Sequence, residues 1–145
     1  STMRRLFREP RQVERAYYEK TGIFPIMHTF VLKTSLYEKN PWLAVSFYRA
    51  FSRARDIAYR SMYDTDALTV SLPWVIDEVE ETRKIFGPQI WDYSIEGSRP
   101  TLEALVSHLD EQRLTRRRMK LEELFVPNIG PGLAEYLRGT GEDGE

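Results

Sequence analysis

The chain has no cysteine and only two histidines among its 145 residues. That excludes disulfides, cysteine nucleophiles and thiolate metal sites, and it leaves little from which to build a structural zinc site. It does not fix a redox compartment. Charge of one sign is lacking too: the formal net charge is -1, so there is no global electrostatic case for nucleic acid or for an anionic membrane. No apolar run approaches the ~18–20 residues that span a bilayer. The basic start, residues 1–8, lacks the apolar stretch of a signal peptide. Also missing are a glycine-rich phosphate loop, a Gly-x-Ser-x-Gly elbow and a His-Glu-x-x-His pair.

What is present suits one domain or a piece of a larger one. Apolar residues make up 41% of the chain, enough for a core, and charged residues 30%, enough for a soluble surface. Residues 10–20 read as a helix, with Pro10 in the first turn, Val13, Ala16 and Tyr17 at helical spacing, and Gly22 as the stop. Residues 26–33, carrying Thr29, Phe30 and Val31, read as a strand. Residues 35–38 form a capping-box pattern opening a short helical turn. Asn40 and Pro41 then supply an N-cap and a first-turn proline for the strongest helix, which runs to about Met62. Its apolar face is Leu43, Phe47, Phe51, Ala54 and Ala58, with Arg49, Arg53, Asp56 and Arg60 mostly opposite.

A break over residues 64–71 holds a short apolar piece, 67–70. A helix over 73–86 follows, with Trp74, Val75, Val79 and Phe86 inward and Gly87-Pro88 as its end. The loop 89–97 carries Ile90, Trp91, Tyr93 and Ile95, too apolar to float free. Pro100 opens a helix with Leu102, Leu105, Val106 and Leu109 on one face. A helical turn over 120–125 is stopped by Pro127, and residues 133–137 suggest a last turn. The domain is expected over 1–138, with 139–145 a disordered acidic tail. A lone strand is the difficulty, because a strand must pair with something. Its partner is the 67–70 piece, the N-terminal segment, or polypeptide outside this chain.

His28 is the leading candidate site residue: a titratable group in an otherwise apolar strand, able to donate a proton or to hydrogen-bond a carboxylate. The competing reading is a core histidine satisfied by backbone. His108 reads as a solvated helix residue. The basic run 113–120 reads as a solvated helix end complementing the helix dipole. Asp77, Glu78, Glu80 and Glu81 read as a surface paired with Arg83 and Lys84 along their own helix. Trp42, Trp74 and Trp91 read as core anchors. Tyr17 and Tyr18 either line a cleft or cover the strand.

Several segments together resemble the C-terminal part of bacterial 4,5-dihydroxyphthalate decarboxylase and its relatives. They are Val13-Glu-Arg-Ala-Tyr-Tyr-Glu-Lys-Thr-Gly-Ile-Phe-Pro-Ile-Met-His-Thr29, Asn40-Pro-Trp-Leu-Ala44, residues 46–51, Leu72-Pro-Trp74, Glu78-Val-Glu-Glu-Thr-Arg83, Thr101-Leu-Glu103 and Glu122-Glu-Leu-Phe125. The Gly-Ile-Phe-Pro-Ile-Met-His-Thr run is the specific part. The resemblance implies a mainly α chain with a minor β element: the later half of a two-lobed α/β fold of the type 2 periplasmic binding protein kind. In it residues 22–33 are the return crossover strand, followed by several helices. It implies a carboxy-lyase that removes one ring carboxylate from an aromatic dihydroxy dicarboxylate, with no cofactor. His28 would be the acid or a carboxylate-orienting donor, and Arg99, Thr29 and Tyr17 would serve substrate binding. The expected partners are the small aromatic carboxylate and either a missing N-terminal half or a second copy, with no nucleic acid and no membrane; the expected compartment is the cytoplasm. The same fold also serves solute-binding proteins for small anions, and fold alone does not settle function. A third reading is a helical interaction protein without activity.

Overall fold

The computed structural model describes residues 3–129 and residue 133. The described chain is helical: α1 (Pro10–Thr21), α2 (Thr34–Lys39), α3 (Trp42–Tyr63), α4 (Val75–Phe86), α5 (Arg99–Glu111) and a 3₁₀ turn over Leu121–Leu124. The expected last turn lies, apart from Leu133, outside the described residues, as do residues 139–145.

Local chemistry explains the helix ends. Pro10 sits in the first turn of α1, and Gly22 ends it in the left-handed region at φ 66°, with its N–H bonded to the Tyr18 carbonyl. Gly87 ends α4 at φ 78°. The capping box expected at Ser35 is not formed. Lys33 stands at the N-cap of α2 and Ser35 lies inside the helix. Asn40 closes α2, and its side chain reaches back to the Leu36 carbonyl instead of capping α3. Helix α4 starts at Val75, after Trp74 takes a left-handed conformation at φ 65°. That conformation is costly for a bulky side chain.

No strand forms among the described residues. Residues 22–33, expected as a strand, run as an irregular connection between α1 and α2, and residues 67–70 likewise form none. The reason is physical. A strand is stabilised by a ladder, and the rest of the described chain is helix and loop, so no second edge is offered.

The core is small. Ile95, Leu102 and Leu121 pack together, with Phe125 against them, joining loop 89–97, α5 and the 3₁₀ turn. An aromatic group joins α1 to the end of α4: Tyr18 to Phe86 at 4.4 Å, Phe24 to Phe86 at 4.9 Å and Phe24 to Trp91 at 4.9 Å between ring centres. Asn128, buried, donates to the Pro41 carbonyl (2.9 Å) and accepts from the Tyr37 hydroxyl (3.0 Å), which clasps the α2–α3 corner. The carboxylates of α4 pair across helices: Glu78 with Arg11 (2.6 Å), and Glu81 with Arg11 and Arg15 (2.7 Å each). This corrects the expectation that they pair along their own helix.

The inward side of α3 is also corrected. Ala44, Val45 and Tyr59 are buried, whereas Phe47 and Phe51 of the expected face are exposed. The apolar face of α3 is wide, and its Ala44, Val45 and Tyr59 strip is buried while the adjoining Phe47 and Phe51 are exposed. The tryptophans are not core anchors: Trp42, Trp74 and Trp91 are all exposed, Trp74 at 80%.

Candidate functional site

The site region begins where α1 stops. Gly22 turns the chain so that residues 23–24 run past the first turn of α5, with Pro100 beside Gly22. Thr101 holds them there. Its Oγ1 accepts from the Phe24 N–H and donates to the Phe24 carbonyl, both at 3.1 Å. One hydroxyl thus does for Phe24 what a neighbouring strand would do. Phe24 is further fixed by the aromatic group of Tyr18, Phe86 and Trp91.

Next to this wall, Tyr59 and Arg55 of α3 hold the backbone at Trp91. The Tyr59 hydroxyl accepts from the Trp91 N–H at 2.7 Å, and burial pushes its phenol above the ordinary value. Arg55, only 10% exposed, bonds Asp56 and the Trp91 carbonyl and stacks over Tyr93 at 5.0 Å. Sequence reasoning missed both Thr101 and Arg55 as positioning residues. Thr101 stands in the Thr-Leu-Glu segment already singled out, and Arg55 on the side of α3 that carries Tyr48, Ser52 and Tyr59. Those were the available signals.

The proposed substrate groups are not gathered around one cavity. His28 and Thr29 lie on residues 25–32, are exposed, and have no side-chain hydrogen bond to described residues. His28 is therefore not a core histidine satisfied by backbone. Arg99, at the start of α5, is half-buried and faces Glu103 (3.3 Å) and Glu122 (3.6 Å), so its charge is already partly balanced. Tyr17 is 48% exposed, and its neighbour Tyr18 takes the packed position. Arg99 and the His28 segment do share one anchor, because Thr101, two residues after Arg99, holds Phe24, four residues before His28.

His108 is exposed and 3.6 Å from Glu111, in keeping with a helix-surface residue. Arg117 of the basic run is held bidentate by Glu123 (2.8 and 3.2 Å), and each partner's charge favours the other's ionised form. Among the described residues no three histidine or carboxylate side chains come together as metal ligands, and no helix is long and apolar enough to cross a membrane.

No family model matches the chain. Over 122 residues it is 30% identical to 4,5-dihydroxyphthalate decarboxylase from Comamonas testosteroni, which covers 84% of this chain and 37% of that protein. The chain therefore spans well under half the length of the curated relative it matches, and the two are distantly related.

Proposed function

We propose that the chain forms part of a carboxy-lyase acting on an aromatic dihydroxy dicarboxylate of the 4,5-dihydroxyphthalate kind, giving protocatechuate and carbon dioxide. The observation that carries this is the 30% identity over 84% of the chain to a decarboxylase of that name. The site is the strip from Phe24 to Thr29, with Arg99 at the start of α5, in the later half of a two-lobed binding-protein-like fold. It is completed by a second polypeptide surface. The setting is the cytoplasm.

The chemistry asks little of the protein. Each ring carboxylate is para to a hydroxyl. A phenolate pushes electron density onto the carboxylate-bearing carbon, which takes a proton from an acid. The carbon–carboxylate bond then breaks, carbon dioxide leaves, and the bonding pair restores the aromatic ring. The protein must hold the carboxylates and deliver the proton. His28, exposed and without a side-chain hydrogen bond to any described residue, serves as the acid. Arg99 holds a carboxylate by exchanging Glu103 or Glu122 for the substrate, and a substrate anion gains there from the positive end of α5. Thr29 and Tyr17 supply hydroxyls at the rim.

The test is carbon dioxide release from 4,5-dihydroxyphthalate. The chain is assayed alone over a range of concentrations and together with the part of the Comamonas protein outside the matched stretch. Release is expected from the complete assembly, and His28→Gln should lower it by roughly 10²–10⁴-fold. Unaltered turnover in His28→Gln would remove the proton-donor role. No release from any assembly, with measurable binding of another small anion, would replace the lyase reading with solute capture.

A further inference from the structure

The hydroxyl of Thr101 is directed away from its own helix. The start of α5 has no side-chain cap from Ser98, yet the Thr101 Oγ1 reaches a segment 77 residues away and serves both polar groups of Phe24. Its single proton is committed to the Phe24 carbonyl. The anchor is stiff. Threonine is β-branched, so its χ1 is restricted. Thr101 also stands next to Leu102, 5% exposed, which is part of the core with Ile95 and Leu121. What the anchor holds is stiff as well. A residue before proline is kept extended and proline fixes its own φ, so the heading taken at Phe24 is carried through Pro25 towards His28. The backbone of residues 25–32 makes no hydrogen bond to described residues. Among those residues, then, the strip is fixed on this side at Phe24, by a side chain two positions from Arg99.

We propose that Thr101 is a positioning residue of the decarboxylation: it sets where His28 stands relative to Arg99, so that the acid meets the ring carbon whose carboxylate Arg99 holds. The proposal rests on the lyase reading of that site. The reaction needs a carboxylate held and a proton delivered to the carbon that bears it, and a misplacement of about 1 Å in such a pair costs on the order of 10²-fold. Two groups on separate segments keep a fixed separation only when something ties the segments together. The rings packed on Phe24, those of Tyr18, Phe86 and Trp91, belong to α1, α4 and loop 89–97. They hold Phe24 in the fold without referring it to α5. The two bonds of Thr101 supply that reference. Arg99 keeps its place on the helix when the hydroxyl is removed, so substrate is still held and only the acid drifts. The loss then falls on the transition state and not on binding.

The chain, assembled with the part of the Comamonas protein outside the matched stretch, is assayed with 4,5-dihydroxyphthalate. Thr101→Val should lower kcat by roughly 10–100-fold while KM changes by less than about threefold. Thr101→Ser, which returns the hydroxyl, should recover kcat to within about threefold of wild type. A packing defect alone would not be undone by the smaller serine. An unaltered kcat in Thr101→Val, or a serine variant as slow as the valine one, would overturn the proposal. A second readout needs no turnover. The chain has no cysteine of its own, so Met27→Cys with His108→Cys, both exposed positions, takes one spin label on the strip and one on α5. The distance between the labels should be narrowly distributed with threonine or serine at position 101 and broader with valine, at unchanged helical circular dichroism. A broad distribution in the wild-type chain and assembly would overturn the proposal without recourse to any variant. If the distances behave as expected but the wild-type assembly releases no carbon dioxide, the tie between the strip and α5 stands and only the lyase reading fails.

Discussion

Two adjoining strips of the apolar face of α3 meet different fates. One strip buries Ala44, Val45 and Tyr59, and loop 89–97 is tied to its later end through the Tyr59–Trp91 bond and the Arg55 contacts. The other presents Phe47 and Phe51, 36% and 46% exposed, with the exposed Phe30 ring against them. Periodicity reports that a face is built for burial. It does not report whether the same chain supplies the cover. Here it does so for one strip only.

The sharpest way to break this comparison is to truncate a side chain on each side of it. Leu102, 5% exposed in the closed core, should cost about 2–4 kcal/mol when changed to alanine. Phe51, 46% exposed, should cost under about 1 kcal/mol at a concentration that keeps the chain monomeric. Urea midpoints decide it. Equal losses at the two positions would mean that Phe51 is covered after all.

A smaller effect is expected where the closed part meets the open strip. Thr101→Val keeps the shape and removes the hydroxyl that serves both polar groups of Phe24, so about 1–2 kcal/mol should be lost. Amide exchange at Phe24 should quicken. Unchanged protection there would show that the aromatic contacts alone hold the segment.

The smallest effect concerns the latch between α1 and α4. Arg15 and Arg11 hold the Glu81 carboxyl below its ordinary value. A group whose folded value is lowered contributes stability above its unfolded value, near 4.5, and loses it as the pH falls through the folded one. Melting temperature should therefore drop slightly more steeply in the wild type than in Glu81→Gln between about pH 5 and pH 3. Because the pair is fully exposed, half-molar salt should erase most of the difference.

Much of this fold was legible in the sequence. Proline and glycine punctuation placed α1, α3 and α5 to within a residue or two, because those residues act through local backbone sterics. Residues 26–33 carry a strand pattern, yet a pattern cannot make a ladder without a second edge. The inward side of α3 was also misread, because Phe47 and Phe51 outweigh Ala44 and Val45 in any hydrophobicity count. For the site, His28 and Arg99 stood out by residue type. Thr101 did not, since a hydroxyl standing in for a strand neighbour leaves no periodic trace.

Asn128 has a consequence for how the molecule is made. Its amide joins Pro41 and Tyr37, which precede it by 87 and 91 residues. Helices α2 and α3 can coil from local contacts, but their corner has no clasp until Asn128 folds back over it. A clasp that closes so long a loop forms late in folding, and until it closes the α2–α3 corner is open to misassembly.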